Sequence, residues 1–316
     1  MKRLLIGFAL LIVLLLAAIY ILIPAKLTIS KVIVVNCIPD AANRLVLQPN
    51  NWQKWWPANQ KNNFSATPSP VGSFVYNDDT FTIKHRYQIA LDLQFKSAAE
   101  SNDSRLTVFP MSSDKVALQW ESALQTGMNP FKKVQRYRQA VRIKENMSGI
   151  LNQLKAFLEN KERVYGLGIN KTSTKDTLLV ATRAVFTEQP TTENIYLLAE
   201  KLQRYIQEQG AIQTGSPMLN VTETPGQFQV MVAIPTNKML TGSGAIFFRK
   251  MVPGNFLVAE VYGGNKAVQD ALTNFELYAT DHKKTLMALP FQTLITDRRK
   301  EPDSLKWLTK IYYPVN

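Results

Sequence analysis

The most restrictive feature of the sequence is Leu4–Ile23, a run of twenty residues without a charge that directly follows Met1-Lys2-Arg3. At about 1.5 Å per residue, a helix of this length measures about 30 Å, the thickness of the hydrocarbon layer of a bilayer. The run exceeds the ~7–15 apolar residues of a cleaved signal peptide. Ile23-Pro24-Ala25, the nearest candidate cleavage site, is a poor match to the small-residue pattern. We therefore predict an uncleaved transmembrane anchor in residues 1–25.

The orientation of this anchor is predicted from the charges that flank it. Lys2 and Arg3 precede the apolar run, while Lys26, Lys31 and Arg44 follow it, so the positive-inside bias is weak. A short basic N-terminus before a first apolar segment usually stays in the cytoplasm. We expect a single-pass protein of the inner (cytoplasmic) membrane whose remaining residues lie outside the cytoplasm.

Histidine and cysteine are scarce, which limits the possible chemistry. The chain has one cysteine, Cys37, and two histidines, His85 and His282. A lone cysteine excludes an intramolecular disulfide, a CxxC redox pair and a cysteine-rich zinc site. The sequence also lacks H-E-x-x-H, a glycine-rich phosphate loop and G-x-S-x-G. We therefore assign no metal, no cofactor and no catalytic residue.

The net charge of +13 is concentrated in the middle of the chain, because residues 26–161 carry +8 and residues 162–316 only +3. Much of the excess lies in Lys132–Lys144, which holds six basic residues and no acid. This strip is either a solvated face leading into a helix or a surface that attracts anionic lipid. Tyr137 is its only aromatic residue, so the base-stacking pattern of single-strand binders is missing. We expect no nucleic-acid partner.

Residues 27–160 have the pattern of an α+β domain. Leu27–Val35 begins with alternating polarity, as an opening strand would, and a short helix is predicted from Pro39 to Leu47. Apolar residues at steps of three and four from Ile143 to Leu158 predict a closing helix. Pro57–Ser73 is a polar loop, and turns are predicted at Asp78-Asp79 and Ser101–Ser104. The strand patterns between the helices are Phe74–Tyr76, Thr80–Lys84, Gln88–Phe95, Arg105–Phe109 and Val116–Ser122.

This segment resembles the START/polyketide-cyclase-like (SRPBCC) superfamily. The resemblance is carried by Ile29–Val35, Pro39-Asp40, the N-W-x-x-W-W-P at Asn51–Pro57, and the helix Met147–Leu158. It implies a helix-grip domain over residues 27–160, with a curved sheet around the long helix and a cavity for an apolar ligand. The three tryptophans are either core or cavity lining.

The last part of the chain contains an internal repeat at an offset of 73 residues. Strands are predicted before each repeated helix, at Thr177–Phe186 and at Ile246–Val252 with Asn255–Val261. Two strand–helix–strand–strand units predict one sheet with pseudo-twofold symmetry, helices on one face and a cleft along the dyad. The matched pairs are Thr192–Tyr205 with Asn265–Tyr278, Pro217–Val221 with Pro290–Leu294 and, after a six-residue slip, Val232–Pro235 with Ile311–Pro314.

Residues 162–316 resemble the GyrI-like small-molecule-binding domain, which is also the effector domain of AraC-type and MerR-type regulators. The resemblance is carried by Val258–Gly264, Pro290–Leu294 and Trp307–Val315. It implies a dyad cleft that binds flat, apolar and often cationic compounds through aromatic residues and a central glutamate. Some members of this family are hydrolases that use that acid.

The sequence departs from the family's P-x-E-x-Y motif, because Gln292 replaces the acid and Leu294 replaces the tyrosine. A glutamine amide can neither pair with a cation nor carry a catalytic proton. Glu260, two residues before Tyr262 on a strand, is either a substitute acid or a surface carboxylate. The predicted ligand-binding residues are Met218, Glu260, Tyr262, Gln292, Leu294 and Trp307.

The prediction is thus a membrane-anchored α+β protein of three parts: the anchor (1–25), the helix-grip domain (27–160) and the GyrI-like domain (162–316). We expect a sensor or carrier of a small hydrophobic ligand without robust catalysis, attached through Leu4–Ile23, with anionic lipid as a candidate partner at Lys132–Lys144. The alternative is a hydrolase of small reactive compounds with Glu260 or Glu223 as its acid. No helix-turn-helix is visible, so the regulator role does not transfer.

Overall fold

The computed structural model describes residues 2–57, 73–97, 100–174, 177–251 and 253–316. The chain divides between Asn160 and Lys161 into two compact units, each of which combines helices with a fully antiparallel sheet. The mixed α+β class predicted from the sequence is therefore confirmed. The predicted loop Pro57–Ser73 lies almost entirely outside the described residues, and so does Val252 at the end of a predicted strand.

The first helix, α1, covers Lys2–Leu22. Its helical form agrees with the prediction for Leu4–Ile23. Within the described part of the chain, however, no helix combines the length and hydropathy needed to cross a membrane. The predicted transmembrane character of this segment is not confirmed.

The first unit contains a six-stranded sheet in the order β1-β6-β5-β4-β3-β2, with the long helix α4 packed against β1 and β6. The elements follow the predicted order of a strand, a short helix, a run of strands and a closing helix. Each element has an apolar face that packs on the core. The elements are β1 (Lys26–Val35), α2 (Pro39–Leu47), a 3-10 turn (Pro49–Asn51), α3 (Trp52–Trp55), β2 (Ser73–Tyr76), β3 (Asp79–Arg86), β4 (Ala90–Ser97), β5 (Glu100–Ser112), β6 (Lys115–Gln125) and α4 (Pro130–Leu158).

Two local predictions in this unit are wrong. The turn predicted at Ser101–Ser104 lies inside β5, because the polar side chains find partners in the sheet: the Trp120 indole N–H donates to Ser104 Oγ at 3.1 Å. The basic strip Lys132–Lys144 does not precede the closing helix but forms its first half. Lys133 within it is buried, so the strip is not a uniformly solvated face.

The three tryptophans of Asn51–Pro57 belong to the core of the first unit. Trp52 and Trp55 are buried, and their indole N–H groups donate to the carbonyl oxygens of Val46 (2.6 Å) and Leu45 (3.0 Å). Trp56 stacks on Trp52 with 5.2 Å between ring centroids. Satisfied indole donors and stacked rings favour the core interpretation of this cluster over cavity lining.

The second unit contains an eight-stranded antiparallel sheet and two long helices. Both repeat helices and all predicted strands are present, with boundaries that differ by a few residues. The charged segment 297–303 connects β13 to a 3-10 turn, as expected for a loop. The elements are α5 (Lys161–Tyr165), β7 (Asn170–Thr174), β8 (Thr177–Phe186), α6 (Thr192–Glu208), β9 (Met218–Thr224), β10 (Gln227–Thr236), β11 (Ile246–Met251), β12 (Gly254–Tyr262), α7 (Asn265–Asp281), β13 (Phe291–Leu294), the turn Ser304–Lys306 and β14 (Leu308–Val315).

The strand order β11-β8-β10-β9-β13-β14-β12-β7 shows the predicted pseudo-twofold symmetry. From the central pair outward, one half reads β9, β10, β8, β11 and the other β13, β14, β12, β7. Leu219 pairs with Gln292, its own repeat equivalent, so the dyad passes between these two residues. Each half also exchanges its edge strand, since β7 precedes β8 in the chain but pairs with β12 of the other half.

Candidate ligand-binding site

The sheet of the second unit has two different faces. One face carries the helices: α6 buries Ile195 and Leu202 against Val232 of β10, while α7 stacks Phe275 on Tyr313 of β14 at 5.5 Å. We call this the helix face and the opposite one the open face. Because side chains alternate along a strand, neighbouring residues of β9 and β13 point to different faces.

The larger cavity of this unit, of about 630 Å³, lies on the open face and crosses the dyad. One wall is formed by the buried cluster Leu179, Ala181, Met218 and Ala233, with Met251 packed against it. The other wall is aromatic. Its rings are Phe256 and Phe291, which meet edge-on at 5.7 Å. Phe291 also stacks at 4.7 Å on Tyr312, which lies outside the lining.

The polar residues at the rim of this open-face cavity are basic or amides. Arg249 and Lys250 contribute to the lining, together with Asn220, Asn255 and Asn316. None of the described residues that line the cavity is Asp or Glu. The described side chains of the rim therefore offer hydrogen-bond donors and positive charge, and none of them is a carboxylate that could pair with a cationic ligand.

A second, smaller cavity of about 290 Å³ lies on the helix face at the dyad, and we call it the helix-side groove. Leu219 and Gln292 form its floor, and Val268 and Leu272 of α7 form its side. Glu223 also lines the groove, and its side chain is exposed. The groove thus contains one carboxylate at its edge and an amide at its centre.

The structure places two of the six predicted ligand-binding residues at cavities, and these two are on opposite faces. Met218 lines the open-face cavity, whereas Gln292 lies in the helix-side groove. Leu294 lies on the same face as Gln292 and packs against the apolar cluster under α6. The structure therefore does not bring the six predicted residues together at one cavity, and their role in ligand binding stays a prediction.

Glu260 and Tyr262 lie on the open face but line neither cavity. The carboxylate of Glu260 lies 3.7 Å from Lys310 Nζ and is 57% exposed, so it is a surface ion pair and not a buried acid. Tyr262 is exposed at the end of β12. These positions agree with the surface-carboxylate interpretation of Glu260.

Trp307 contacts a buried arginine. The indole N–H of Trp307 donates to the Glu301 carbonyl at 2.7 Å, and the Arg298 guanidinium lies 4.7 Å from its ring centroid. Arg298 is only 7% exposed and donates to Thr309 Oγ1 (2.9 Å) and Asn265 Oδ1 (3.3 Å). Burial lowers the pKa of Arg298. The N–H group and the ring of Trp307 thus both contact other residues of the protein.

Sequence reasoning missed the residues that form most of the open-face cavity. Phe256, Phe291 and Met251 lie on the open face by the alternation of side chains along their strands, so a period of two was the available signal. Arg249 shares the face of Phe247 and Met251 by the same alternation. Predicting the cavity needed the strand pairing as well as the pattern, because these residues of the second repeat meet Leu179, Ala181, Met218 and Ala233 of the first.

Comparisons with known proteins give only remote similarities. No protein-family model and no curated protein matches the sequence. Among solved structures, the C-terminal domain of EcmrR is 16% identical, with 48% of this chain and 98% of that chain covered and a TM-score of 0.42. EcmrR in a DNA complex has 16% identity, coverage of 58% and 71%, and a TM-score of 0.43.

A further similar structure is SAV2435 bound to tetraphenylphosphonium, with 19% identity, coverage of 48% and 94%, and a TM-score of 0.32. The similar structures thus include small-molecule-binding and DNA-bound proteins. Because all three TM-scores lie below 0.5, function is inferred from the cavities of this chain. The absence of a nucleic-acid partner stays a prediction.

Proposed function

We propose that the second unit binds a small hydrophobic ligand in its open-face cavity and serves as a sensor or carrier. The observation that supports this proposal is a cavity of about 630 Å³ with apolar walls contributed by both repeats. Ligand sites of proteins typically measure ~300–1,000 Å³ and combine an apolar lining with a few polar groups. Methionines such as Met218 and Met251 adapt to ligands of different shape, since their side chains are unbranched and polarisable.

A fluorescent neutral probe tests this proposal. N-phenyl-1-naphthylamine fluoresces in apolar sites, and we expect the full chain to bind it. Ala181→Phe fills the cavity and is expected to weaken the signal about tenfold or more, since one buried side chain contributes ~1.5–3 kcal/mol. Ala233→Met is a milder second variant that is expected to act in the same direction.

Val185→Phe is the matched control for this titration. Val185 lies on the same strand and the same face as Ala181, but it is exposed and outside the cavity lining. Probe binding that responds equally to Ala181→Phe and Val185→Phe, in variants with wild-type circular dichroism, would contradict a site in the open-face cavity.

A second candidate function is hydrolysis in the helix-side groove. It is supported by Glu223, which lines the same groove as Gln292 and so brings a carboxylate near the position of the missing family acid. We expect Glu223→Gln to abolish any turnover of p-nitrophenyl acetate, whereas Glu260→Gln leaves it intact. Turnover that survives Glu223→Gln would rule out this acid.

We also propose that α1 and the start of α4 attach the protein to an anionic lipid surface. The Tyr20 hydroxyl donates to the Met128 carbonyl, and Lys133 Nζ donates to the Ile23 carbonyl at 2.6 Å, so the two elements meet here. Phe131 is 83% exposed beside the exposed Lys132. Exposed apolar side chains next to lysines are typical of surfaces that lie in the headgroup region.

Vesicle flotation of the full chain tests this attachment. Lys132→Glu is expected to weaken binding to phosphatidylglycerol-containing vesicles several-fold, because each basic residue near the surface contributes ~1 kcal/mol. Lys144→Glu is the control: twelve residues along the same helix correspond to ~18 Å, more than a Debye length. Binding that ignores salt, anionic lipid and Lys132→Glu would contradict the proposal. Spanning of the bilayer by Leu4–Ile23 stays a prediction from the sequence.

A further inference from the structure

We propose that the ligand of the open-face cavity is an amphipathic anion, an apolar body with one carboxylate or sulfonate group that pairs with Arg249. This inference rests on the proposed function of the cavity as a ligand site. It reverses the charge expected from the GyrI-like resemblance, which implies cationic ligands. The inference rests on the residues that line the cavity of this chain and not on the resemblance.

Arg249 lies at the edge of the open-face cavity. Ile246 packs under α6 on the helix face, so Phe247, Arg249 and Met251 lie on the open face by alternation along β11. Phe247 and Met251 pack against the apolar wall of the cavity, and Arg249 lines the cavity between them. The guanidinium is therefore at the boundary between apolar wall and solvent, where the charged group of an amphiphile would lie.

A second arginine adds positive charge beside Arg249. The guanidinium carbons of Arg183 and Arg249 lie 5.5 and 5.7 Å from the centroid of the Phe247 ring, so two positive charges flank one aromatic side chain. In the part of the chain that the structure describes, no carboxylate forms an ion pair with either arginine. An anion would thus gain charge-assisted hydrogen bonds that no side chain of the described residues already satisfies.

The positive charge at this rim disfavours a cation in the same place. A lipophilic cation in this cavity would be within reach of Arg249, and no side chain of the described lining is an Asp or Glu that could offset the repulsion. Apolar walls lower the local dielectric constant and strengthen this repulsion. Charge selects the anion even though the walls would accept the apolar part of either ligand.

A pair of dyes that differ by one sulfonate tests the inference in the full chain. 1-Anilinonaphthalene-8-sulfonate carries the anion, and N-phenyl-1-naphthylamine is the same molecule without it. The cavity signal of each dye is the part that Ala181→Phe removes. We expect the anionic dye to bind at least fivefold tighter than the neutral dye, and high salt to reduce this preference.

Arg249 variants assign the preference to one side chain. Arg249→Met is expected to weaken the anionic dye about tenfold, the size of one charge-assisted hydrogen bond, and to leave the neutral dye unchanged. Arg249→Lys keeps the charge and is expected to retain most of the preference. Lys266→Met is the control, because Lys266 is an exposed base of the same unit outside the cavity lining.

The outcomes separate this inference from the proposed function. If Ala181→Phe removes no signal from either dye, the cavity is not a ligand site and both proposals fail. If the neutral dye binds as tightly as the anionic one, or Arg249→Met acts like Lys266→Met, the inference is overturned and the proposed function stands. Tetraphenylphosphonium that displaces both dyes at lower concentration than dodecanoate would also overturn it.

Discussion

At the scale of single residues, a buried carboxylate joins two elements of the first unit. Asp79 is 2% exposed at the start of β3 and accepts hydrogen bonds from Asn146 Nδ2 (2.8 Å) and from Arg142 (3.1 Å) on α4. Asn77 donates to the same Asn146 side chain at 3.1 Å. This network connects the β2–β3 hairpin to the long helix, because a buried carboxylate must be matched by donors.

We predict that Asn146→Ala destabilises the protein by ~1–3 kcal/mol, the cost of leaving a buried acceptor short of a donor. Urea unfolding followed by tryptophan fluorescence measures the change, since Trp52 and Trp120 lie in the same core. Lys144→Ala, an exposed change on the same helix, is the control and is expected to have an effect below ~0.5 kcal/mol. Equal effects of the two variants would contradict a structural role for the Asp79 network.

His282 provides a pH-dependent contribution to the second unit. Its ring stacks on Tyr278 with 3.7 Å between centroids, and its Nδ1 lies 2.8 Å from the Tyr278 carbonyl oxygen. Burial lowers the pKa of His282 below its ordinary value of 6.5. The unfolded chain then binds the proton more readily, so this contribution to stability is complete above about pH 6.5 and is lost as the pH falls through the folded pKa.

We predict that His282→Gln makes the stability of the protein depend less on pH between about pH 7 and pH 5. The glutamine side chain binds no proton in this range. Thermal unfolding at a series of pH values measures the slope. Gln269→Ala, an exposed and uncharged change on α7, is expected to keep the wild-type slope. An unchanged slope in His282→Gln would mean that another group causes the pH dependence.

Residue-level chemistry was the least predictable from the sequence. Gln292 and Phe291 are neighbours, yet a shift of one position in a strand moves a side chain to the other face of the sheet. The internal repeat read from the sequence matches Leu219 with Gln292, and the structure pairs these two residues at the dyad. It could not determine that the larger cavity opens on the face of Phe291, because that depends on which face the helices cover.

At the scale of elements, α1 and α4 are joined by a lysine that a charge count treats as solvated. Lys133 is 4% exposed, and its Nζ donates to the carbonyl of Ile23, directly after α1. The same Nζ lies 5.1 Å from the Tyr20 ring centroid. A cation at a helix C-terminus is favoured by the helix dipole and satisfies a carbonyl that has no partner inside the helix. The aliphatic stem of the side chain contributes packing as well.

We predict that Lys133→Met loosens the end of α1, because it keeps the stem and removes a charged hydrogen bond of ~1.5–3 kcal/mol. Hydrogen–deuterium exchange of the amides near Tyr20 and Ile23 in the full chain is expected to accelerate about tenfold or more. Lys132→Met on the exposed side of α4 is expected to leave exchange unchanged. Unchanged exchange in Lys133→Met would mean that packing alone fixes the helix end.

Element types followed from local patterns, whereas element partners did not. The bounds of α2 and β8 agree with the prediction, because apolar periodicity and Pro39 are local signals. The turn predicted at Ser101–Ser104 failed because Ser104 is satisfied by Leu93 and Trp120, which are distant in sequence. Polar residues predict a turn only when no strand supplies them with partners.

At the scale of the whole chain, the two repeats of the second unit are related by pseudo-twofold symmetry, but each pairs strands with the other. β8 of the first repeat pairs with β11 of the second, and β7 of the first pairs with β12 of the second. The pairs Thr177–Met251 and Thr174–Gly254 follow the same register, so both exchanged pairings use one alignment of the two chain segments. The cavity walls depend on this exchange, because they come from both repeats.

This exchange predicts that neither repeat folds without the other. A protease site inserted after Gly244, at the tip of the exposed turn before β11, allows the two repeats to be separated after folding. We expect the cut halves to remain associated on a sizing column, since every described strand at the half boundaries pairs across the cut. Each half expressed alone, residues 161–244 or 245–316, is expected to lack cooperative unfolding, because its edge and central strands lose their partners and expose apolar faces.

Co-refolding of the two halves provides the decisive measurement. If folding requires the exchange, mixing equimolar halves restores a cooperative transition and binding of the neutral naphthylamine dye, and each half alone shows neither. Leu219 and Gln292 would then meet only in the mixture, and so would the two walls of the open-face cavity. A half that unfolds cooperatively by itself, or that binds the dye in a manner sensitive to Ala181→Phe, would show that one repeat is sufficient for both the fold and the site.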